Sequence, residues 1–470
     1  GWNVPKTPKI IIAASLACLG LNAYAFQLAI PPELKNKIAV SIIDAQNNQL
    51  IYNYRESTPL LLASNMKILT SYAALTELGA KFHWTTKLSY QGQIENGILH
   101  GNVYLIGGGN PQLSSQDLQQ MLAKLKQRGI NKIDGDFVYD MSIFNQSIKS
   151  SELHPEPLAE YSVDPAGLII DSNLSNLKLQ VKKNSLKFSQ QRSLDYKFKN
   201  QLKVNNQSKA SCKYPSDYIT ATPAAQHTII LSGSVPLSCN QQLFGINLLS
   251  TPVYNKVALK QILAAQKIKL TGTIIAAKAS NNTILIAAQN SADLSEILPK
   301  MNKDSNNLYA KSLFMSLGAY KTTNQTTYDD ARKQYISIFQ RKFNFSELAN
   351  VENGAGLSRT EKISTAHMTQ LLGAIYQSPE NNYFISTLAT PGESGTLQSE
   401  FPQFKRKLFA KTGSLSDVKA YSGYFRAANG HIYLISFIAN DINATENTTS
   451  QLQAFKQLVT AALNQLDTPQ

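Results

Sequence analysis

The texture of this sequence changes near residues 84, 166, 240 and 282, so no single repeated element or uniform layer can account for the chain. Before the first change, Ile38 to Tyr54 reads as two strands joined at Asn47-Asn48. Ser64 to Leu78 reads as a helix with Leu69, Ala73 and Leu78 on one face, ended by Gly79. Trp84 to Asp164 is mixed, with strands at Lys87–Tyr90 and Val103–Ile106, a helix at Ser115–Arg128 and a turn at Asp134-Gly135-Asp136 before Phe137–Tyr139. Residues 166–239 carry short alternating stretches rich in Lys, Ser and Asn, such as Leu177–Val181 and Thr228–Leu231, the pattern of a small β domain. A helix returns at Val257–Gln266. After Asn282 the chain is helix-rich until strands at Ala420–Arg426 and Ile432–Ile438. Ser450 to Leu466 is a last amphipathic helix, expected to pack on a sheet, with a membrane surface as the other partner such a face suits. The class is therefore α/β in the α+β sense, and 470 residues with 43% hydrophobic content allow two to four domains. No period of 20 to 50 residues is visible.

The beginning of the chain predicts export. Lys6 and Lys9 precede an apolar run from Ile10 to Leu21 and then Ala23-Tyr24-Ala25, so residues 1–25 read as a cleaved signal peptide and the protein as periplasmic. The run is too short for a bilayer span, and the residues before Cys18 fit a lipoprotein box poorly. Cys212 and Cys239 then remain as an even pair in an oxidising compartment, and a disulfide is expected. No metal site is expected, because there is no CxxC pair and no HExxH among six scattered histidines. Without Lys6 and Lys9 the chain has 43 basic and 31 acidic residues, a net charge of +12. The lysines are dispersed rather than clustered with aromatics, which points to acidic wall polymer and anionic lipid rather than nucleic acid.

Three short motifs carry chemistry. In Ser64-Asn65-Met66-Lys67, a serine and a lysine three places apart on one helical face put Oγ and Nζ within hydrogen-bond reach. A lysine with a lowered pKa can then take the serine proton. Ser175-Asn176-Leu177-Lys178 and Ser416-Asp417-Val418-Lys419 match the same pattern, but only Ser64 opens a clear helix. In Ser305-Asn306-Asn307 a hydroxyl and a carboxamide two positions apart can face one cleft. In Lys411-Thr412-Gly413-Ser414, after the apolar Leu408-Phe409, a cation beside a hydroxyl can hold a carboxylate, and glycine lets a substrate backbone approach a strand edge. Lys321-Thr322-Thr323 lacks that glycine. Taken singly, Lys67 reads as a solvated helix lysine, Asn307 as a helix cap and Arg359 as a surface ion-pair partner. Taken in order, the three motifs are the set shared by penicillin-binding proteins and serine β-lactamases.

Over nearly all of residues 26–470 the chain resembles the D-alanyl-D-alanine carboxypeptidase/endopeptidases of penicillin-binding protein 4 type. The further segments are Gly107-Gly108-Gly109-Asn110-Pro111, Met301-Asn302-Lys303-Asp304 before Ser305, Gly354-Ala355-Gly356-Leu357-Ser358-Arg359 and Gly392-Glu393-Ser394-Gly395-Thr396-Leu397. The resemblance implies a transpeptidase-like catalytic domain, an antiparallel sheet flanked by helices, built from residues 26–83 and 283–470. An inserted domain would use 84–165 and 240–282, with a nested β domain at 166–239. It implies Ser64 as nucleophile, Lys67 as base, Ser305 and Lys411 as proton relay and Asn307 as holder of the substrate amide. Thr412 and Ser414 would bind the terminal carboxylate beside Gly413, and Asp140 and Arg359 would hold a diaminopimelate side chain. Ser416 and Asn353 depart from the glutamine and aspartate that such relatives can carry there. The implied ligands are peptidoglycan stem peptides and β-lactam antibiotics, with no cofactor, and a homodimer and a peripheral membrane contact are left open. A His-dependent hydrolase is disfavoured by the lack of a Gly-x-Ser-x-Gly elbow. A β-lactamase fits the motifs but not the large insertion, and a silent envelope-binding scaffold does not need three complete motifs.

Overall fold

The computed structural model describes residues 25–149, 156–321, 325–393, 395–444 and 450–468; the signal peptide expected at 1–25 lies outside them except for Ala25. A five-stranded antiparallel sheet runs in the order Leu50–Tyr54, Ile38–Asp44, Ile432–Asn440, Val418–Arg426, Leu408–Leu415. Both of its faces are covered, which is why its central strands read as almost unbroken apolar runs instead of alternating. Ala39, Ala420, Tyr424, Leu434 and Ile438 face a layer of helices that includes Met66–Glu77, Asn307–Ala319 and Thr365–Tyr376. Val40, Tyr421, Phe425, Ile435 and Phe437 face the last helix, Ser450–Asp467, through Phe455, Leu458, Val459 and Ala462. The apolar face of that helix is therefore spent on the sheet. No helix among the described residues is long and apolar enough to cross a membrane.

The segment between the first two motifs forms sheets of its own. Ile274–Ala276, Phe137–Asp140, Val103–Ile106, Thr85–Tyr90 and Ile284–Asn290 lie side by side, with the helices Ser115–Gln127 and Thr251–Ala265 packed into the same apolar cluster. The strand Ile284–Asn290 differs from the helix-rich reading after Asn282. It pairs with Thr85–Tyr90, so the inserted sheet is completed by residues that the sequence reading placed with 283–470. A separate cluster gathers Leu177, Leu179, Leu231, Val235 and Phe244 around two three-stranded sheets, one of which takes in Leu243–Ile246, beyond residue 239. Within it Cys212 and Cys239 form the expected disulfide, with Cα atoms 5.0 Å apart.

Candidate active site

The nucleophile candidate sits at a corner forced by packing. The helix proper begins at Met66, two residues later than expected, and Ser64 occupies a one-turn 3-10 segment, Ala63–Asn65, that follows the short strand Leu60–Leu61. Asn440 clamps that strand by donating Nδ2 to the Leu61 carbonyl at 2.8 Å and accepting the Leu61 N–H at 2.9 Å. Ala63 takes a left-handed φ of 48°, a conformation L-residues hold only when their surroundings impose it. Asn65, fully buried, donates to the Lys411 carbonyl at 3.1 Å and so ties the turn to the strand of the third motif. Gly413 fits against this turn because a Cβ there would stand 2.8 Å from the Leu62 carbonyl oxygen and 3.0 Å from Ser64 N.

Lys67, one turn into the helix, is wholly buried, and its Nζ lies 2.8 Å from the half-buried Ser64 Oγ. The same nitrogen donates to Asn307 Oδ1 at 2.6 Å and to the Ala355 carbonyl at 2.8 Å. Two N–H donors spent on two acceptors leave the lone pair of a neutral amine for the serine hydroxyl. Neutrality is favoured: burial pushes Lys67 well below the usual lysine range, and the charges of Lys411 and Lys311 push the same way against Glu361. The matches at Ser175 and Ser416 hold no such geometry, since one lies in the strand Ser175–Lys182 and the other in the turn between Leu408–Leu415 and Val418–Arg426.

Asn307 reaches the same place through a helix break, and Ser305 stands at that break two residues before it. Ser305 caps Leu294–Asp304 in a left-handed conformation, and Asn306 caps the next helix by accepting the Tyr309 N–H at 2.9 Å. Capping thus falls to Asn306, which frees Asn307 to face Lys67. Lys411 is buried and driven down to about 7, by burial first and then by the charge of Lys419, with Asp304 opposing. Its amine donates to the Thr412 carbonyl at 2.7 Å. Thr412 Oγ1 donates to Thr396 Oγ1 at 2.7 Å, and Ser414 Oγ accepts from Lys419 at 2.9 Å.

The two residues expected to recognise diaminopimelate behave differently. Arg359 forms a two-pronged pair with Asp417, at 2.7 and 2.8 Å, in the turn that follows the third motif, so it stands at the rim of the site. Asp140 is not brought to the motifs. Its carboxylate accepts the N–H groups of Ser142 and Ala279, and it lines a cavity with Lys87, Lys278 and Tyr320. Tyr320 caps the far end of the 13-residue helix that Asn307 begins, which at about 1.5 Å per residue is about 20 Å away. A carboxylate of the insertion that does touch this helix is Asp164, 3.9 Å from Lys311 and one turn beyond Asn307.

The model of the D-Ala-D-Ala carboxypeptidase 3 (S13) family matches residues 23–461. The chain belongs to that family. It is 27% identical over 405 residues to the D-alanyl-D-alanine carboxypeptidase DacB of Haemophilus influenzae, covering 83% of each chain. The solved structure of penicillin-binding protein 4 (dacB) from H. influenzae superposes with a TM-score of 0.75 at 25% identity, over 91% of this chain and 96% of that one. The same protein complexed with a β-lactam gives 0.72 at 25% identity, over 92% and 96%. The expected family and fold class are thereby established, and the protein is a serine peptidase of the S13 type.

One residue of this S13 peptidase escaped the sequence reading altogether. Glu361, 1% exposed, accepts four backbone N–H groups, from Glu352, Asn353 and Gly354 on one oxygen and from Gly356 on the other, at 2.8–3.0 Å. It gathers the loop that presents the Ala355 carbonyl to Lys67, and its charge is the one that raises Lys67. Gly356 lies so close to the nucleophile turn that a Cβ would stand 1.8 Å from the Ala63 carbonyl oxygen. The sequence signal for Glu361 is one acidic residue after a glycine-rich stretch, which does not distinguish it from a surface glutamate.

Proposed function

We propose that this protein is an exported carboxypeptidase and endopeptidase of peptidoglycan, removing terminal D-alanine and opening D-alanyl-diaminopimelate crosslinks through an acyl-enzyme on Ser64. The observation that carries this reading is the Lys67 amine, buried, neutral-leaning and supported on two acceptors with its lone pair left for Ser64. As Ser64 Oγ attacks the carbonyl between two D-residues, its proton passes to Lys67. The N–H groups of Ser64 and Ser414 receive the oxyanion, a contribution of about 3 kcal/mol per donor in other hydrolases. Collapse breaks the C–N bond, and the proton reaches the leaving amine through Ser305 and Lys411. Water then attacks the ester and returns Ser64. Thr412 and Ser414 hold the carboxylate next to the scissile bond, and Arg359 meets a diaminopimelate carboxylate at the rim by exchanging Asp417 for it. Penicillins acylate the same serine, but the opened ring stays attached; the β-lactam complex of the H. influenzae relative supports this part. The insertion is read as two nested units, which suits a polymeric substrate better than a small drug.

Incubation with purified crosslinked muropeptides tests the reading. The wild-type protein is expected to release D-alanine and to convert dimers to monomers, while Ser64→Ala loses both by at least about 10⁴-fold. Equal product from the two proteins rules out this nucleophile.

A further inference from the structure

We infer that Lys419 is an additional recognition residue of this site, holding the free carboxylate of the substrate together with the Ser414 hydroxyl; the inference rests on the function proposed above. In the hairpin of Leu408–Leu415 and Val418–Arg426, Ser414 pairs with Lys419 and Thr412 with Tyr421, so these four side chains share one face. Lys411 and Gly413 project to the other face, toward the Ser64 turn. The two hydroxyls assigned to the carboxylate and the Lys419 ammonium thus form one surface beside the strand edge, with Lys419 Nζ 2.9 Å from Ser414 Oγ.

The neighbours of Lys419 fix its position, and the carboxylate that acts on its charge, Glu400, is shared with Tyr421 and Lys456. The ammonium stands 5.3 Å from the centre of the Tyr421 ring. Tyr421 is anchored by its hydroxyl, which donates to the Glu400 carboxylate at 3.2 and 3.3 Å, and Glu400 is paired with Lys456 at 2.8 Å. Among the described residues the hydrogen bond of Lys419 ends on a hydroxyl, so donors of a three-donor ammonium remain for an anion. A surface lysine would trade little by losing such a contact, but Lys419 is partly buried and burial lowers its pKa, a cost that an arriving carboxylate offsets. The same charge depresses Lys411, so the group that attracts the carboxylate also favours a neutral Lys411 amine.

Binding measured in the Ser64→Ala background separates this inference from the acyl chemistry, which wild-type hydrolysis tests on its own. Calorimetry would compare a stem peptide ending in D-Ala-D-Ala carboxylate with the same peptide ending in carboxamide. Adding Lys419→Met is expected to weaken the carboxylate peptide at least about tenfold and leave the carboxamide within about twofold, while Lys419→Arg stays within about threefold of the Ser64→Ala parent. A merely structural lysine predicts equal losses for both peptides. Equal losses, no loss, or a parent that does not prefer the carboxylate would each overturn the inference.

Discussion

Lys67→Met is expected to fold and to lose acylation by penicillin about 10²- to 10⁴-fold, because it removes the base and leaves the nucleophile in place. Lys67→Arg is the sharper variant. It restores the length and the positive charge, but a guanidinium keeps its proton at every working pH and has no lone pair to offer. If Lys67 acts as a base, both variants are equally slow; if it only supplies charge, arginine recovers a large part of the rate. Stopped-flow acylation with a reporter β-lactam reads the difference directly. The pH profile adds a sign. Lys67 lies well below the usual lysine range and Lys411 is down at about 7, so both amines hold their protons in acid and lose them on the way up. Acylation is expected to be weak in acid and to rise with pH to a plateau, with apparent constants that belong to the coupled pair rather than to either residue.

Glu361→Gln should cut kcat/KM about 10- to 100-fold while leaving every reacting group in place. The carboxylate serves four N–H donors, whereas an amide has one acceptor oxygen and turns an NH2 toward the remaining donors. Each buried donor left unsatisfied costs about 1–3 kcal/mol, so the loop carrying Ala355 loosens and Lys67 loses one of its two supports. The charge has a separate and opposite signature. Glu361 raises Lys67, so its removal lets Lys67 lose its proton in more acidic solution, and the acid limb of the acylation profile moves to lower pH even as the plateau falls. Glu361→Asp keeps the charge and is expected to leave the limb in place. A limb that moves to higher pH in Glu361→Gln contradicts this electrostatic role.

The sequence made the chemistry legible and the recognition surfaces much less so. Ser64, Lys67, Asn307 and Lys411 stand out because their residue types in short motifs suit acyl transfer, and the structure brings Ser64 and Asn307 within hydrogen-bond reach of Lys67. Asp140 was named from the resemblance alone, which does not say which end of the helix Asn307–Ala319 it meets; it lines the cavity with Tyr320 at the far end. The strand Ile284–Asn290 was hidden because a short apolar run, Ile284 to Ala288, suits a buried helix turn as well as a strand, and its partner Thr85–Tyr90 resolves the choice. Glu361 and Lys419 were unreadable for a related reason. A buried glutamate that serves backbone donors, and a lysine given meaning by a cross-strand serine, are defined by neighbours far away in the folded molecule or across a turn. The decoy Ser416-Asp417-Val418-Lys419 contained a functional candidate, but through the register Ser414 with Lys419 and not through its serine-lysine spacing.

The most direct test of the account is where a penicillin attaches. Labelled benzylpenicillin, trapped on the intact protein and located by peptide mass spectrometry, is predicted to be found once per chain on the peptide containing Ser64, and to vanish in Ser64→Ala. An adduct on Ser175, Ser305, Ser416 or any other side chain, with Ser64 unmodified, would contradict it.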